Sequence, residues 1–287
     1  MRKIHGWGIF AMLMRRLLIV VLLLQVFADL LPAEEPQNTP AAPPPNEMEQ
    51  KVAQLRTTQA LALLSPPLKA EEIAARRKLY EDVITSHPKD AEPRVAYGEF
   101  LLFLERKEEA FQQWDSALVL DPQRHDILAA QSDLLLQTGQ IVAAADAMEK
   151  AVALEPKNAF YHYTLAHIYT MFRRDLMAPR RLTENELITR GTEYFRQAAL
   201  LAPENLSYAQ GYAEAFYTQP DPDWTLARTA WESLLEKSPQ KSFIRSHLVR
   251  VNIRLRDKAA AAAHLAALDD PAFAQVKERL QKQVDRL

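Results

Sequence analysis

Cysteine is absent from this chain of 287 residues, and glycine occurs only 6 times. Without cysteine there can be no disulfide, thiolate nucleophile, cysteine-bound zinc or iron–sulfur cluster. Few stretches are β-branched and several are rich in Ala, Leu, Glu, Gln and Arg, which disfavours a large sheet and predicts an all-α protein. Basic charge is not in excess either, because 35 Lys and Arg face 37 Asp and Glu. This balance argues against a nucleic-acid partner.

Catalytic motifs are also missing. The chain has no glycine-rich phosphate loop, no H-E-x-x-H and no G-x-S-x-G. His162 and His167 are five residues apart, a spacing that does not place both on one face of a helix. Acidic pairs such as Glu108 and Glu109 lie at predicted helix starts, where carboxylates act as caps. We therefore predict no enzymatic activity, no metal and no cofactor; the alternative is a catalytic pair that only the folded chain assembles.

The amino terminus has the pattern of an export signal. Basic residues precede an apolar run over residues 17–28, which is shorter than the roughly 20 residues of a bilayer-spanning helix and typical of a secretory signal. We expect a cleaved signal at residues 1–28 and a periplasmic protein. The alternative is an uncleaved anchor over residues 9–31 that holds the chain in the inner membrane, facing the periplasm. Candidate start codons are Met1, Met12 and Met14.

Residues 29–45 follow the predicted signal and are rich in proline. Six prolines occur between Pro32 and Pro45. Because each fixes φ and lacks an N–H, the segment is predicted to be an extended tether. A ligand for a proline-binding domain is the alternative.

Proline then recurs at a regular interval after helical segments. The positions are Pro88, Pro122, Pro156, Pro203 and Pro239, separated by 34, 34, 47 and 36 residues. Two consecutive intervals of 34 indicate an internal repeat. The first complete unit contains, in order, Tyr97, Gly98, Leu101, Ala110, Trp114 and Ala117. Later units keep bulky and small residues at matching places.

This pattern resembles the tetratricopeptide repeat (TPR), in which a bulky–small pair and an aromatic residue are followed by Ala, an aromatic residue, Ala and Pro. The resemblance implies one helical hairpin for each unit and a right-handed α-solenoid for the array. Small residues such as Gly98 and Ala117 would let antiparallel helices approach closely. Trp114 and Trp231 would fill the space between hairpins.

The repeat divides the rest of the chain into three parts. They are a divergent amino-terminal hairpin at 46–88, about five repeats at 89–270, and a helix at 271–287 that would cap the last repeat. A cap formed by Asn46 and Glu49 is predicted to start the first helix. The apolar stripe of the last helix includes Phe273, Val276 and Leu280, which is why we expect it to cover an exposed repeat face.

The interval of the third repeat exceeds 34 by 13 residues, and the surplus falls at residues 172–184. We predict an insertion loop there whose basic side chains could contact a partner. These side chains are Arg173, Arg174, Arg180 and Arg181. The alternative is a surface insertion without a role. Thr183 and Glu186 are predicted to cap the helix that follows.

The resemblance also implies a binding groove, because the first helix of each TPR hairpin lines the concave side. The positions that it assigns to the groove include Glu99, Asp133, Phe160, Tyr163, His167, Gln210, Glu214, Tyr217, Phe243 and Arg250. The lysine, asparagine and arginine that clamp a peptide carboxylate in one group of TPR proteins are missing here. An extended segment with a basic residue and apolar anchors would fit instead. The alternative is that these residues are merely solvated and that the partner docks elsewhere.

Taken together, the sequence predicts an exported TPR scaffold that binds a protein or peptide partner in the bacterial cell envelope. A membrane-anchored assembly factor is the first alternative, and it is the only interpretation that involves a membrane. An enzyme with an unrecognised site is the second.

Overall fold

The computed structural model describes residues 46–63 and 68–287. These two ranges contain fourteen α-helices and no strand, so the prediction of an all-α helical repeat fold is confirmed. None of these helices combines the length and hydropathy that crossing a bilayer requires. The predicted signal and tether lie outside the described residues.

The chain forms two compact units, which divide between Pro122 and Gln123. The helices of the first unit are α1 (Glu47–Leu63), α2 (Ala70–Ser86), α3 (Glu92–Phe103) and α4 (Lys107–Leu120). Those of the second are α5 (His125–Gln137), α6 (Ile141–Leu154), α7 (Ala159–Met171), α8 (Arg173–Arg180), α9 (Glu184–Leu201), α10 (Leu206–Ala215), α11 (Trp224–Lys237), α12 (Lys241–Arg254), α13 (Lys258–Ala266) and α14 (Ala274–Asp285). Short 3₁₀ helices occur at Phe216–Thr218 and Pro271–Phe273.

In the first unit, α1 pairs with α2 and α3 pairs with α4. The predicted cap of α1 is confirmed: the backbone N–H of Glu49 donates to Asn46 Oδ1 over 2.9 Å, and that of Asn46 donates to Glu49 Oε2 over 2.8 Å. The core of the unit is aromatic, since the Tyr80 ring packs 5.3 Å from Tyr97 and 5.4 Å from Phe100. These rings join the two hairpins.

Gly98 shows why the repeat needs a small residue beside a bulky one. A Cβ atom built on Gly98 would lie 2.3 Å from Nε1 and 2.5 Å from Cδ1 of the Trp114 indole, closer than any side chain can come. The indole N–H donates to the Val95 carbonyl over 3.3 Å. The predicted close approach of α3 and α4 is therefore confirmed at this position.

In the second unit, the hairpins are α5–α6, α7–α9, α10–α11 and α12–α13. In the later repeats, the alanines at positions that match Ala110 and Ala117 are fully buried: Ala144, Ala151, Ala198, Ala227 and Ala261. Trp231 is fully buried, as predicted for a residue that fills the space between hairpins, and Phe195 is buried as well. The helix α14 packs Leu280 and Val284 against α12 and α13; its role as a cap stays a prediction.

The prediction that residues 172–184 form a loop is wrong, because most of this segment is the helix α8. This helix packs against α6, α7 and α9, and its Leu176 is fully buried. Burial of this leucine holds the segment in a helix despite Pro179 in its last turn. After α8 the chain reverses at Arg181, and the predicted cap of α9 by Thr183 and Glu186 is present.

Three hairpins turn through a residue in the left-handed region of backbone space. Gly139 has φ 76° after α5, and Glu105 and Arg256 have φ 62° and 57° after α3 and α12. Glycine adopts this conformation without the steric cost that a side chain brings. The three turns thus share one backbone conformation, but the residue that adopts it differs between them.

Candidate functional site

The solvent-facing side of α7 carries large apolar side chains. Phe160 is 55% exposed and Met171 is 65% exposed, and His167 lies between them at helical spacing. The side chains on the other face, such as Leu165 and Ile168, are buried in the core. Exposed aromatic residues at helical spacing are common in protein-binding surfaces. Met171 was missed from the sequence, although it lies four residues after His167.

Tyr163 links this face of α7 to α10. Its ring lies 4.5 Å from His167 and 4.6 Å from Tyr208, and it meets Phe195 at 5.6 Å. Gly211 makes room for this packing, since a Cβ there would lie 3.0 Å from Phe195 and 3.1 Å from Tyr163. The Tyr163 ring is therefore half in the core. Tyr163, which the resemblance assigns to the groove, therefore also contributes to the core.

A second aromatic group surrounds His247, a residue that no sequence pattern indicated. The imidazole stacks on Trp231 with ring centroids 4.2 Å apart, and Phe243 lies 4.6 Å away. Its Nδ1 is 3.1 Å from the Tyr217 hydroxyl. Burial lowers the pKa of His247 to about 4, and the Arg250 guanidinium adds to the decrease. Burial raises the pKa of Tyr217 to about 12, so both groups are neutral near pH 7.

Glu214 lies between these two aromatic groups. It accepts a hydrogen bond from Gln210 over 2.8 Å and has no ion-pair partner among the described residues. Burial raises the pKa of Tyr163, and the neighbouring Tyr208 and the Glu214 carboxylate add to the rise. Burial lowers the pKa of His167, and Glu214 opposes that change. The carboxylate is thus close enough to influence both side chains.

These residues form one surface of the second unit, which we call the aromatic surface. Its members are Phe160, Tyr163, His167, Met171, Gln210, Glu214, Tyr217, Phe243, His247 and Arg250. The charge of Arg250 acts on Tyr217, and its guanidinium reaches Ser246 Oγ at 3.4 Å. The surface has apolar ends and one carboxylate without an ionic partner in the described ranges.

Two predicted acidic groove residues have partners within the chain. In the first unit, Glu99 forms an ion pair with Arg56 of α1 over 2.9 Å, and the same guanidinium reaches Glu92 over 2.5 Å. In the second unit, Asp133 accepts a hydrogen bond from Gln137 over 2.7 Å. The acidic character that was expected at Glu99 is therefore largely offset by Arg56. No local pattern predicts that pairing, which spans 43 residues.

The insertion arginines divide into two pairs. Arg173 forms an ion pair with Glu184 over 2.6 Å, and Arg180 reaches Asp146 at 2.7 Å and Glu149 at 3.2 Å. Arg174 and Arg181 are exposed. Half of the predicted basic patch is thus used to hold α8 in place. Within residues 46–63 and 68–287 no group of three His, Asp or Glu side chains could bind a metal ion.

Comparison with solved structures identifies similar folds. YrrB, a TPR protein with an unusual peptide-binding site, aligns with a TM-score of 0.55 at 16% identity, over 71% of this chain and 97% of YrrB. The C-terminal part of a TPR repeat-containing protein from Cytophaga hutchinsonii aligns at 0.55 and 18%, over 81% and 87%. PilF of Pseudomonas aeruginosa aligns at 0.52 and 13%, over 83% and 100%.

At these identities the likeness establishes the fold, which is the helical repeat fold of TPR proteins. No protein-family model matches the chain, and no curated protein sequence matches it.

Proposed function

We propose that this protein is a TPR scaffold that binds an extended segment of another protein on the aromatic surface of its second unit. The observation that carries the proposal is the single carboxylate of Glu214 between two groups of aromatic side chains, with Phe160 and Met171 exposed on α7. The fold supports it, because one similar TPR protein has a peptide-binding site.

The chemistry of the surface indicates the segment that it would bind. A lysine or arginine of the partner would pair with Glu214 and lie against the neighbouring tyrosine rings, where cation–π attraction adds to the ion pair. Apolar side chains on either side of that residue would contact Phe160 or Met171 on α7 and Phe243 on α12. Arg250 would repel a second basic residue placed beside Tyr217.

Selection of a displayed peptide library with the purified chain tests this proposal. We expect enriched peptides to carry one basic residue with aromatic or aliphatic neighbours. Phe160→Ala combined with Glu214→Lys should weaken the binding of a selected peptide at least about 30-fold, since truncating an anchor costs about 2 kcal/mol or more. The matched control combines Leu200→Ala and Glu232→Lys, which change equally exposed residues on α9 and α11.

Equal loss in the control variant, or retention of binding in the first variant, would contradict the proposal. Both site changes avoid Tyr163 and Phe243, whose rings contribute to the core. Circular dichroism and thermal melting should therefore be similar in the two variants.

We also propose that the scaffold works outside the cytoplasm, and this part rests on the sequence of residues 1–28 alone. Cell fractionation with mass measurement of the mature amino terminus tests it. A mature chain that begins at Asp29 or Glu34 supports export with cleavage, whereas an intact chain in washed membranes supports the anchored alternative.

A further inference from the structure

The first unit contains a cleft of about 290 Å³ between α2, α3 and α4. Its floor is partly apolar, with Ile84 and Leu101, and Glu81 lies on one wall. The Tyr97 hydroxyl donates to Glu81 Oε1 over 3.1 Å. Arg77 donates to Tyr97 and to Glu109 but forms no ion pair with Glu81. The Glu81 carboxylate therefore has no cationic partner in the described part of the chain.

The second unit contains the counterpart of this cleft, between α6, α7 and α9. Glu149 lies 68 residues after Glu81, which is two repeat lengths of 34, and each precedes its repeat proline by seven residues. The Tyr169 hydroxyl donates to Glu149 Oε1 over 2.5 Å, just as Tyr97 donates to Glu81. The two clefts thus share a carboxylate on the second helix of one hairpin and a tyrosine on the first helix of the next.

The difference between the two clefts is the helix α8. In the second unit α8 packs against all three helices of the cleft and fully buries Leu176. Four residues later, Arg180 donates to Glu149 Oε2 over 3.2 Å. The second unit therefore shows what fits such a cleft: a short helix that inserts one apolar side chain and places a guanidinium against the carboxylate one turn further on.

We propose that the open cleft of the first unit is a docking site for a short amphipathic helix of another protein. The helix inserts an apolar side chain over Ile84 and Leu101 and places a lysine or arginine, four residues later, against Glu81. Arg94 also lines the cleft, so the helix carries an acidic residue on that side. This site is separate from the aromatic surface, and either can fail without the other.

The probe is a peptide of residues 172–183 of this chain, acetylated and amidated at its ends and held helical by a side-chain staple on its exposed face. A staple is needed because an isolated helix of this length is not stable in water. Fluorescence anisotropy measures its binding to the full chain. We expect binding, and we expect a Leu176→Asp peptide to lose it.

A double-mutant cycle tests the contact with Glu81. Arg180→Gln in the peptide and Glu81→Gln in the chain should each weaken binding about tenfold, and the two together little more than either alone, since both remove one interaction. The matched control is Asp82→Asn, which changes the exposed carboxylate next along α2. Absence of binding, or full additivity of the two changes, would overturn the proposal.

Photo-crosslinking locates the peptide independently of these variants. A photoreactive group in place of Met177 should attach to α2 or α4. Attachment to α6 or α9 would mean that the peptide only displaces α8 from its own cleft, and it would overturn the proposal as well.

Discussion

In the second unit the cleft between α6, α7 and α9 is filled by a helix of the same chain, whereas no described residue fills the cleft between α2, α3 and α4 in the first unit. Both place a carboxylate at the same distance before the repeat proline and a tyrosine within reach of it. The tyrosines differ by one helical turn, since Tyr97 follows Glu81 by 16 residues and Tyr169 follows Glu149 by 20. The repeat therefore determines where the cleft and its carboxylate lie, and a short insertion determines whether the chain fills it.

The largest expected effect tests whether α8 is an integral part of the second unit. Leu176→Ala removes a fully buried side chain, and we expect it to cost about 2–5 kcal/mol of unfolding free energy. Hydrogen exchange should increase in α6, α7 and α9 and stay unchanged in the first unit. Met171→Ala, at an exposed site on α7, is the control. Unchanged exchange in α6 would show that α8 is merely attached to the surface.

Overpacking tests whether the two units share the same helix spacing. Ala117 and Ala151 lie 34 residues apart and are fully buried, so Ala117→Leu and Ala151→Leu should each cost about 1–3 kcal/mol. Ala143→Leu, at an exposed site on α6, should cost little. Thermal denaturation measures all three variants. If Ala117→Leu and Ala151→Leu destabilise the chain by markedly different amounts, the helices are not packed equally closely in the two units.

Acid should destabilise the second unit, in which burial lowers the pKa values of His167, His247 and His264. The unfolded chain takes up a proton on His247 near pH 6.5, whereas the folded chain does so only near pH 4. Stability therefore falls as the pH falls through this window.

Between pH 7 and pH 5 we expect His247 to lower the free energy of unfolding by about 1 kcal/mol, after allowing for solvent screening. Denaturant unfolding at the two pH values measures it. His247→Phe keeps a ring against Trp231 and should reduce the loss. An unchanged pH dependence in this variant would contradict the assignment.

A comparably small effect is expected from the ion pairs of α8. Arg180→Gln should cost about 1 kcal/mol, because the guanidinium is only partly exposed and contacts both Asp146 and Glu149. Arg174→Gln is the control, since Arg174 is exposed on the same helix. A loss as large as that of Leu176→Ala would mean that charge, more than burial, holds α8.

Most of the fold could be predicted because its signals are local. Small residues at 34-residue spacing determine where helices touch, and capping pairs such as Thr183 and Glu186 determine where helices begin. The helix α8 was missed for the opposite reason. A segment of eight residues with four charges and a proline has weak helical preference, and its stability comes from the burial of Leu176 between distant helices.

The candidate site was only partly predictable, for a related reason. Spacing along a helix identified the face that holds Phe160 and Tyr163. It could not tell that Tyr163 also packs into the core, because that depends on the space left by Gly211 on another helix. Nor could it tell that Arg56 pairs with Glu99, since ion pairs between helices leave no local pattern.

The three left-handed turns show that the sequence of this protein is not optimised for stability. Glu105 and Arg256 occupy a conformation that Gly139 adopts without strain, and a side chain there costs about 1 kcal/mol. Two of the three turns thus retain a residue that is not the most stable choice. Natural proteins are typically only slightly more stable than their function requires. The two hairpin turns with a strained residue are consistent with this general behaviour. Replacement of Glu105 and Arg256 by glycine should stabilise the chain. The stabilised chain would tolerate more destabilising substitutions during directed evolution.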